Sequence, residues 1–478
     1  MPKTPHLSKF TSYAGSLLPH ELDYLDSINN FIDPDNIKVL EQVRRFVTEG
    51  SSWQEWDKSI NKRKYSRVMH WMDGQLNKID VDLDYEQLLF LEQEVMADRI
   101  LPKDERVILK RLQNYDEPCY NFMKVYQLAQ HLSSFFLIRM RDKAQAVVQT
   151  FLEKYKLLYL KSQDTYQQLN EATNVIVTQY RGEAMDTKHW ESWLTSVFQN
   201  RHLDGLNRYS AIVRLTFLYY NYKDYSKLKS LYEELDLCFS QGLFYSKRIL
   251  VNYYSNRVLM HAQTNEWNEA EQYALMSVKF KSADYIHYIN NLAAILLRSG
   301  KAKAAYKYLQ ASFPDLKNTT SAHNKVGFVA FYTKALNQIG NADEGLRYSS
   351  HFLEANKEAV LKNRWHLYFA ALMQSMIFTG AFRQLLQLID KYKLDEKDAK
   401  YQSRPNYLPT FMWYQKLAEY KLKHISKKTL IESISDHLDT YTNDPHHFIL
   451  IRQLYIDLRK AAPELPISLS ALRLLSQS

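Results

Sequence analysis

Apolar residues recur at three- and four-residue intervals along most of the chain, the period of helices that bury one face. Leu18, Leu22, Leu25, Ile28 and Ile32 follow this spacing beside Pro19, which suits a first helical turn. Asp33-Pro34-Asp35-Asn36 breaks the pattern, and Val39, Val43, Phe46 and Val47 mark a second helix. Ser52 with Glu55 reads as a capping box opening a third helix, with Trp53, Trp56 and Ile60 on one side. Val68, Trp71, Met72, Leu76 and Ile79 mark a fourth, and the acidic stretch from Asp80 to Asp84 reads as a loop. Helical spacing resumes from Leu88 to Ile100 and from Lys103 to about Asn114, before a linker at Asp116-Glu117-Pro118. Long helices follow from Tyr120 to about Arg181, with a break expected near Gln163-Asp164, and another helix holds Trp190 and Trp193.

A longer period then emerges. Five segments share one layout: a helix, a turn, an aromatic or small residue, and a small or apolar residue three positions on. They are Lys223-Asp224-Tyr225 with Leu228, Asn265-Glu266-Trp267 with Ala270, Gly300-Lys301-Ala302 with Ala305, Gly340-Asn341-Ala342 with Gly345, and Gly380-Ala381-Phe382 with Leu385. From Tyr225 to Trp267, Ala302, Ala342 and Phe382 the steps are 42, 35, 40 and 40 residues. A sixth, degenerate copy is expected around Leu417, Ala418 and Ile425. Glycine or a polar residue at each turn suits a left-handed helix cap, and the small residue lets two helices approach closely. A unit of this size cannot bury its apolar stripe alone and is expected to stack on its neighbours.

This layout resembles the tetratricopeptide repeat family. The best copy is Tyr288-Ile289-Asn290-Asn291-Leu292-Ala293 with Leu296, Gly300, Ala302 and Ala305; Tyr254, Asn256, Trp267 and Ala270 make a fair second. The Gly340 and Gly380 copies keep the turn but carry Thr333 and Met373 where the family has a small residue. More loosely, the chain is similar to a group of uncharacterised bacterial helical-repeat proteins that open with a short helix like Glu21-Leu22-Asp23-Tyr24-Leu25, a likeness that implies no activity. The resemblance implies an all-α fold: a right-handed α-solenoid of degenerate tetratricopeptide-like helix–turn–helix repeats with an N-terminal helical region. The expected division is an N-terminal region over 1–116, a long-helix connecting region over 117–204, repeats over 205–440, and a C-terminal capping helix and tail over 441–478.

Composition supports long helices: glycine (11) and proline (12) are scarce, which starves hairpin-rich folds. The hydrophobic fraction of 46% is that of a folded chain. Only Cys119 and Cys238 occur, too few for a disulfide framework, so a reducing compartment is expected. No long apolar run suggests a membrane span, and the expected location is the cytoplasm. The net charge of +9 is uneven: residues 1–150 hold 20 basic against 22 acidic side chains, and the remainder 42 against 31. That excess favours solubility more than a nucleic-acid footprint, which would gather Lys and Arg on one face.

Catalytic signatures are missing. No phosphate-binding glycine loop occurs, since Gly340 and Gly345 lie across a repeat turn. Histidine–carboxylate pairs such as His70 with Asp73 and Asp284 with His287 show no third ligand, and His446-His447 are adjacent, so neither a metal nor another cofactor is expected. Cys119 follows acidic residues, which raise a thiol pKa, and Cys238 reads as core. No serine sits in a nucleophile elbow. The chain is therefore read as a non-enzyme.

Tyrosine is abundant, 35 in all, with Tyr219, Tyr220, Tyr222 and Tyr225 close together and Tyr253-Tyr254 beyond. Most serve packing between repeats; some could line a groove, because tyrosine buries its ring while its hydroxyl stays wet. First helices form the concave wall in the resembling family, which makes Tyr220, Tyr222, Arg257, His261 and Arg298 candidate partner-binding residues. One subclass of that family grips a peptide carboxylate with Lys and Asn. Asn256 and Asn291 fill an Asn place, but Val213, Phe217, Ser255 and Leu259 stand where partners would be, so that clamp is incomplete. The expected function is a non-catalytic scaffold or adaptor for a protein or peptide. The alternative is a transcriptional or nucleic-acid-associated regulator whose N-terminal helices contact phosphate through Arg63, Lys64 and Arg67, with Arg44 and Arg45 nearby. Acidic residues around those cations disfavour it.

Overall fold

A computed structural model describes residues 7–49, 55–116, 118–180, 183–402, 407–436 and 445–466. Among them every regular element is a helix. The chain forms two compact units, 1–253 and 254–478, with the boundary inside helix α12 (Lys247–Gln263).

The N-terminal unit begins with α1 (Ser8–Ser16), α2 (Pro19–Ser27), α3 (Pro34–Glu49) and α4 (Lys62–Ile79). The third helix expected at Ser52 is not there: Ser52 and Trp53 lie outside the described residues, and 55–61 form turns. Asp57 dictates this, its carboxylate accepting from the backbone N–H of Ser59 at 2.9 Å, a turn that competes with helix. Trp56 and Ile60 are still buried, and the Trp56 indole donates to Thr11 Oγ1 at 2.7 Å. Next come α5 (Val81–Met96) and α6 (Pro102–Gln113). The acidic stretch at 80–84 is no loop. Asp80 caps α5 by accepting from the N–H groups of Asp82 and Leu83, and Asp82 and Asp84 occupy its first turn, where the helix dipole favours negative charge.

α7 (Phe122–Ile138) and α8 (Asp142–Tyr180) follow, and α8 runs unbroken for 39 residues. The expected break at Gln163-Asp164 is absent because both residues bond along the helix, Gln163 to the Tyr159 hydroxyl and Asp164 to Gln168. The chain turns instead at Met140, whose φ is 52°, where Arg141 N–H donates to Phe136 O. Phe122, Leu132, Phe136, Phe151 and Tyr155 form the core between these helices. α9 (Trp190–Gln199), α10 (Gly205–Asn221) and α11 (Tyr225–Ser240) complete the unit.

The C-terminal unit contains α13 (Trp267–Ser277), α14 (Tyr285–Arg298), α15 (Ala302–Ala311), α16 (Phe313–Leu316), α17 (Ala322–Gln338), α18 (Ala342–Ala355) and α19 (Lys357–Lys362). It continues with α20 (Trp365–Phe378), α21 (Phe382–Tyr392), α22 (Leu394–Tyr401), α23 (Thr410–Lys421), α24 (Lys427–Ser435) and α25 (Pro445–Ala461). α14 packs on α17, α17 on α20, and α20 on α23 and α25, while α15 lies against α17, α18 against α20, and α21 against α23.

Six helix ends share one cap. Lys223, Asn265, Gly300, Gly340, Gly380 and Lys423 all have positive φ, from 54° to 92°. In each, the next N–H reaches back five residues: Asp224 to Tyr219 O, Glu266 to His261 O, Lys301 to Leu296 O, Asn341 to Leu336 O, Ala381 to Met376 O, and His424 to Glu419 O, all at 2.8–2.9 Å. This is the Schellman arrangement, which satisfies carbonyls that a helix end leaves open. The residues three positions into the following helices, Leu228, Ala270, Ala305, Gly345 and Leu385, are all buried. At Gly345 a Cβ would stand 3.1 Å from Asn337 Oδ1 and 3.2 Å from Ser375 Oγ, so a side chain there would press α18 off α17 and α20.

A cavity lined by successive first helices

In the C-terminal unit the first helix of each pair contributes to one cavity of about 250 Å³. α17 supplies Lys334, α20 supplies His366 and Gln374, α23 supplies Thr410 and Tyr414, and α25 supplies Gln453 and Asp457. Amphipathic spacing alone would bury only apolar residues between these helices, so the polar set is what marks the place.

Asp457 is 6% exposed and accepts from Gln374 Nε2 at 2.6 Å, with Lys460 Nζ at 3.5 Å. Burial nevertheless pushes its carboxyl above the usual range. The amide of Gln374 is fixed from behind, since its Oε1 accepts from Asn337 Nδ2 at 3.0 Å. Tyr414 is buried beside these groups, and burial carries its phenol well above the ordinary value. Lys334 is the exception. Among the described residues no hydrogen bond or ion pair reaches its amine. Burial pushes its pKa down, partly opposed by the negative charge of Asp457, and Arg298 adds to the depression. Lys334 and Asp457 thus feel each other's charge across the cavity without forming an ion pair.

At the other end His366 Nε2 lies 3.2 Å from Asp398, which also accepts from the Tyr407 hydroxyl at 2.6 Å. The imidazole stacks on Tyr401 with centroids 4.5 Å apart. A second polar cluster lies at the starts of α14, α17 and α20. There Arg364 Nε donates to His323 Nε2 at 2.6 Å, and burial and then the Arg364 charge depress both His287 and His323. His323 is thereby held neutral, as an acceptor.

The groove residues proposed from sequence have other surroundings. Arg257 and His261 are 5% and 6% exposed. Both lie against the Tyr273 ring, the guanidinium 5.3 Å from its centroid and the imidazole stacked at 5.2 Å. His261 Nδ1 also contacts Glu266 at 2.5 Å, while its Nε2 is enclosed without a hydrogen bond. Arg298, at the exposed end of α14, covers the Trp267 ring at 4.1 Å. These three therefore brace the α12–α13 and α14 packing. In the N-terminal unit Tyr220 packs edge-on to Tyr225, and the Tyr222 hydroxyl donates to Asp186 at 2.6 Å and accepts from Thr187 N–H at 2.9 Å. Tyr222 thus fastens the turn before α9.

Of the basic residues proposed to contact phosphate, Arg63 and Arg67 are exposed at the start of α4, whereas Lys64 is paired with Asp33. Arg44 is likewise held by Asp26 and by Asp23, the latter at 3.0 Å. Both thiols are pushed up, Cys119 chiefly by burial rather than by neighbouring acids, and Cys238 also by burial. Among the described residues no group of three His, Cys, Asp or Glu is placed to hold a metal ion, and no helix is long and apolar enough to cross a membrane.

None of Lys334, Gln374, Tyr414 and Asp457 was conspicuous in the sequence. One signal was present. Lys334 and Gln374 each stand six residues before a turn glycine and 40 residues apart, and Tyr414 follows 40 residues later. Polar residues recurring at the repeat spacing on first helices point to one shared face. No family model, curated protein or solved structure matches this chain, so its similarity to known proteins adds no name to this geometry.

Proposed function

We propose that the chain is a non-catalytic scaffold that binds a protein or peptide on the first-helix face of a right-handed, tetratricopeptide-like solenoid. The observation that carries the reading is the cavity to which α17, α20, α23 and α25 each contribute polar side chains. A stack of helices held only for stability would fill that place with apolar residues, since an unpaired buried charge is costly. The six matching caps and the close approach at Gly345 support the repeat architecture. The cations of the N-terminal edge that pair with Asp23, Asp26 and Asp33 weigh against phosphate binding there.

The test is a photo-crosslinking residue at Gln453, exposed and lining the cavity, with a control at Gln384, exposed on the second helix α21. After irradiation in cell extract, protein or peptide adducts should form at Gln453 and not at Gln384. Equal labelling at both positions, or nucleic acid as the adduct, rejects the reading.

A further inference from the structure

We propose that the Lys334–Asp457 cavity binds a small zwitterion of amino-acid size, its carboxylate on the Lys334 amine and its ammonium on the Asp457 carboxylate. The inference does not rest on the scaffold reading, because the cavity can fill whether or not a macromolecule is bound.

Three observations converge. The cavity presents two opposite charges, on α17 and α25, that do not pair with each other. The protein offers Lys334 no acceptor: the Gln374 amide has turned its N–H to Asp457 and spent its oxygen on Asn337. Asp457 keeps acceptor capacity, because a carboxylate has about four lone-pair sites and Gln374 and Lys460 fill only part of them. A lone anion would satisfy Lys334 but be repelled by Asp457, and a lone cation would meet the reverse. A ligand carrying both charges answers both, and each contact would be a charge-assisted hydrogen bond in a water-poor site.

Size agrees. A volume of about 250 Å³ holds roughly eight waters at ~30 Å³ each, hence a ligand of about that many heavy atoms. Leu367, Ala370 and Leu454 form an apolar wall suited to a small aliphatic side chain. His366 is already engaged by Asp398 and Tyr401 and bounds the cavity rather than completing the charge pair.

The experiment is titration calorimetry of the full chain against the common amino acids, followed by two analogues of the best binder, one lacking the amine and one lacking the carboxylate. At least one aliphatic amino acid should bind with a Kd in the millimolar range or tighter, and each analogue should bind at least tenfold more weakly. Lys334→Met and Asp457→Asn should each raise the Kd at least tenfold. The analogue comparison uses the unaltered protein, so it holds even where a variant fails to fold. No binding by any amino acid at 10 mM overturns the proposal. So does an analogue that binds as tightly as its parent, or a Kd unmoved in both folded variants.

Discussion

Glu21 in the N-terminal unit and Lys334 in the C-terminal unit are both charged side chains enclosed by helices, but their surroundings differ in kind. Glu21 is 1% exposed and fully supplied: Leu18 N–H donates to it at 2.7 Å, the Tyr245 hydroxyl at 2.6 Å, and Lys247 stands 3.3 Å away. It ties the start of α2 to the segment entering α12. Lys334 faces a cavity with nothing bonded to its amine. A buried charge with a complete set of partners is a structural joint, because removing it strands every partner. One with none costs stability while the site is empty, which is what a binding site tolerates and a joint does not.

The largest effect tests the joint. Glu21→Ala should destabilise the protein by about 3–5 kcal/mol, the usual cost of breaking a buried charged network, and should lower the urea midpoint of the helical signal. A loss under about 1 kcal/mol would erase the contrast, since Glu21 would then be as dispensable as a surface carboxylate.

Lys334→Met should act with the opposite sign. Replacing an unpaired buried charge by an apolar chain of similar length is neutral or stabilising by about 1–4 kcal/mol in the ligand-free protein. pH sharpens this. The folded-state pKa of Lys334 is depressed, so between it and 10.5 the unfolded chain holds the extra proton and wild-type stability rises with pH. Below that window both states are protonated and the full cost of burial remains. The advantage of the Met variant should therefore be greatest near neutrality and shrink towards pH 10. An advantage that stays constant, or a destabilised variant, would mean that Lys334 is held by contacts that its empty surroundings do not show.

How much of this was legible in the sequence depends on the range of the interaction that decides each feature. The turns at Gly300, Gly340 and Gly380 were readable because a left-handed cap leaves a local signature, and Lys223 and Asn265 were found by their place in the same layout. The equivalent cap at Met140 was missed because no residue type advertises it, and a break was expected instead at Gln163-Asp164, where polar residues occupy a helix face. Asp80 read as a loop because the same residue both interrupts one helix and caps the next. Arg257 and His261 were placed on the correct helix, but their burial depends on the Tyr273 ring of α13, which periodicity cannot orient. Lys334 looked like a solvated lysine until α25 brought Asp457 opposite it.

The smallest effect concerns the caps, where one backbone conformation is occupied by glycine in some copies and by lysine in others. Gly340 has φ 92° and open space around a would-be Cβ, so Gly340→Ala should cost about 1–2 kcal/mol through the backbone alone. Lys423 holds the same cap at φ 64° with an exposed side chain, so Lys423→Gly should relieve that strain. The gain should be only about 0.5–1 kcal/mol, because glycine also loses more freedom on folding. Thermal unfolding of the two single variants and the double variant measures this directly. If the six turns are equivalent elements of one repeated design, the two changes should oppose each other and add, the sites being far enough apart to share no partners. A loss from Lys423→Gly would show instead that this lysine contributes contacts of its own, and that the sixth turn is a cap of the same shape serving a different local purpose.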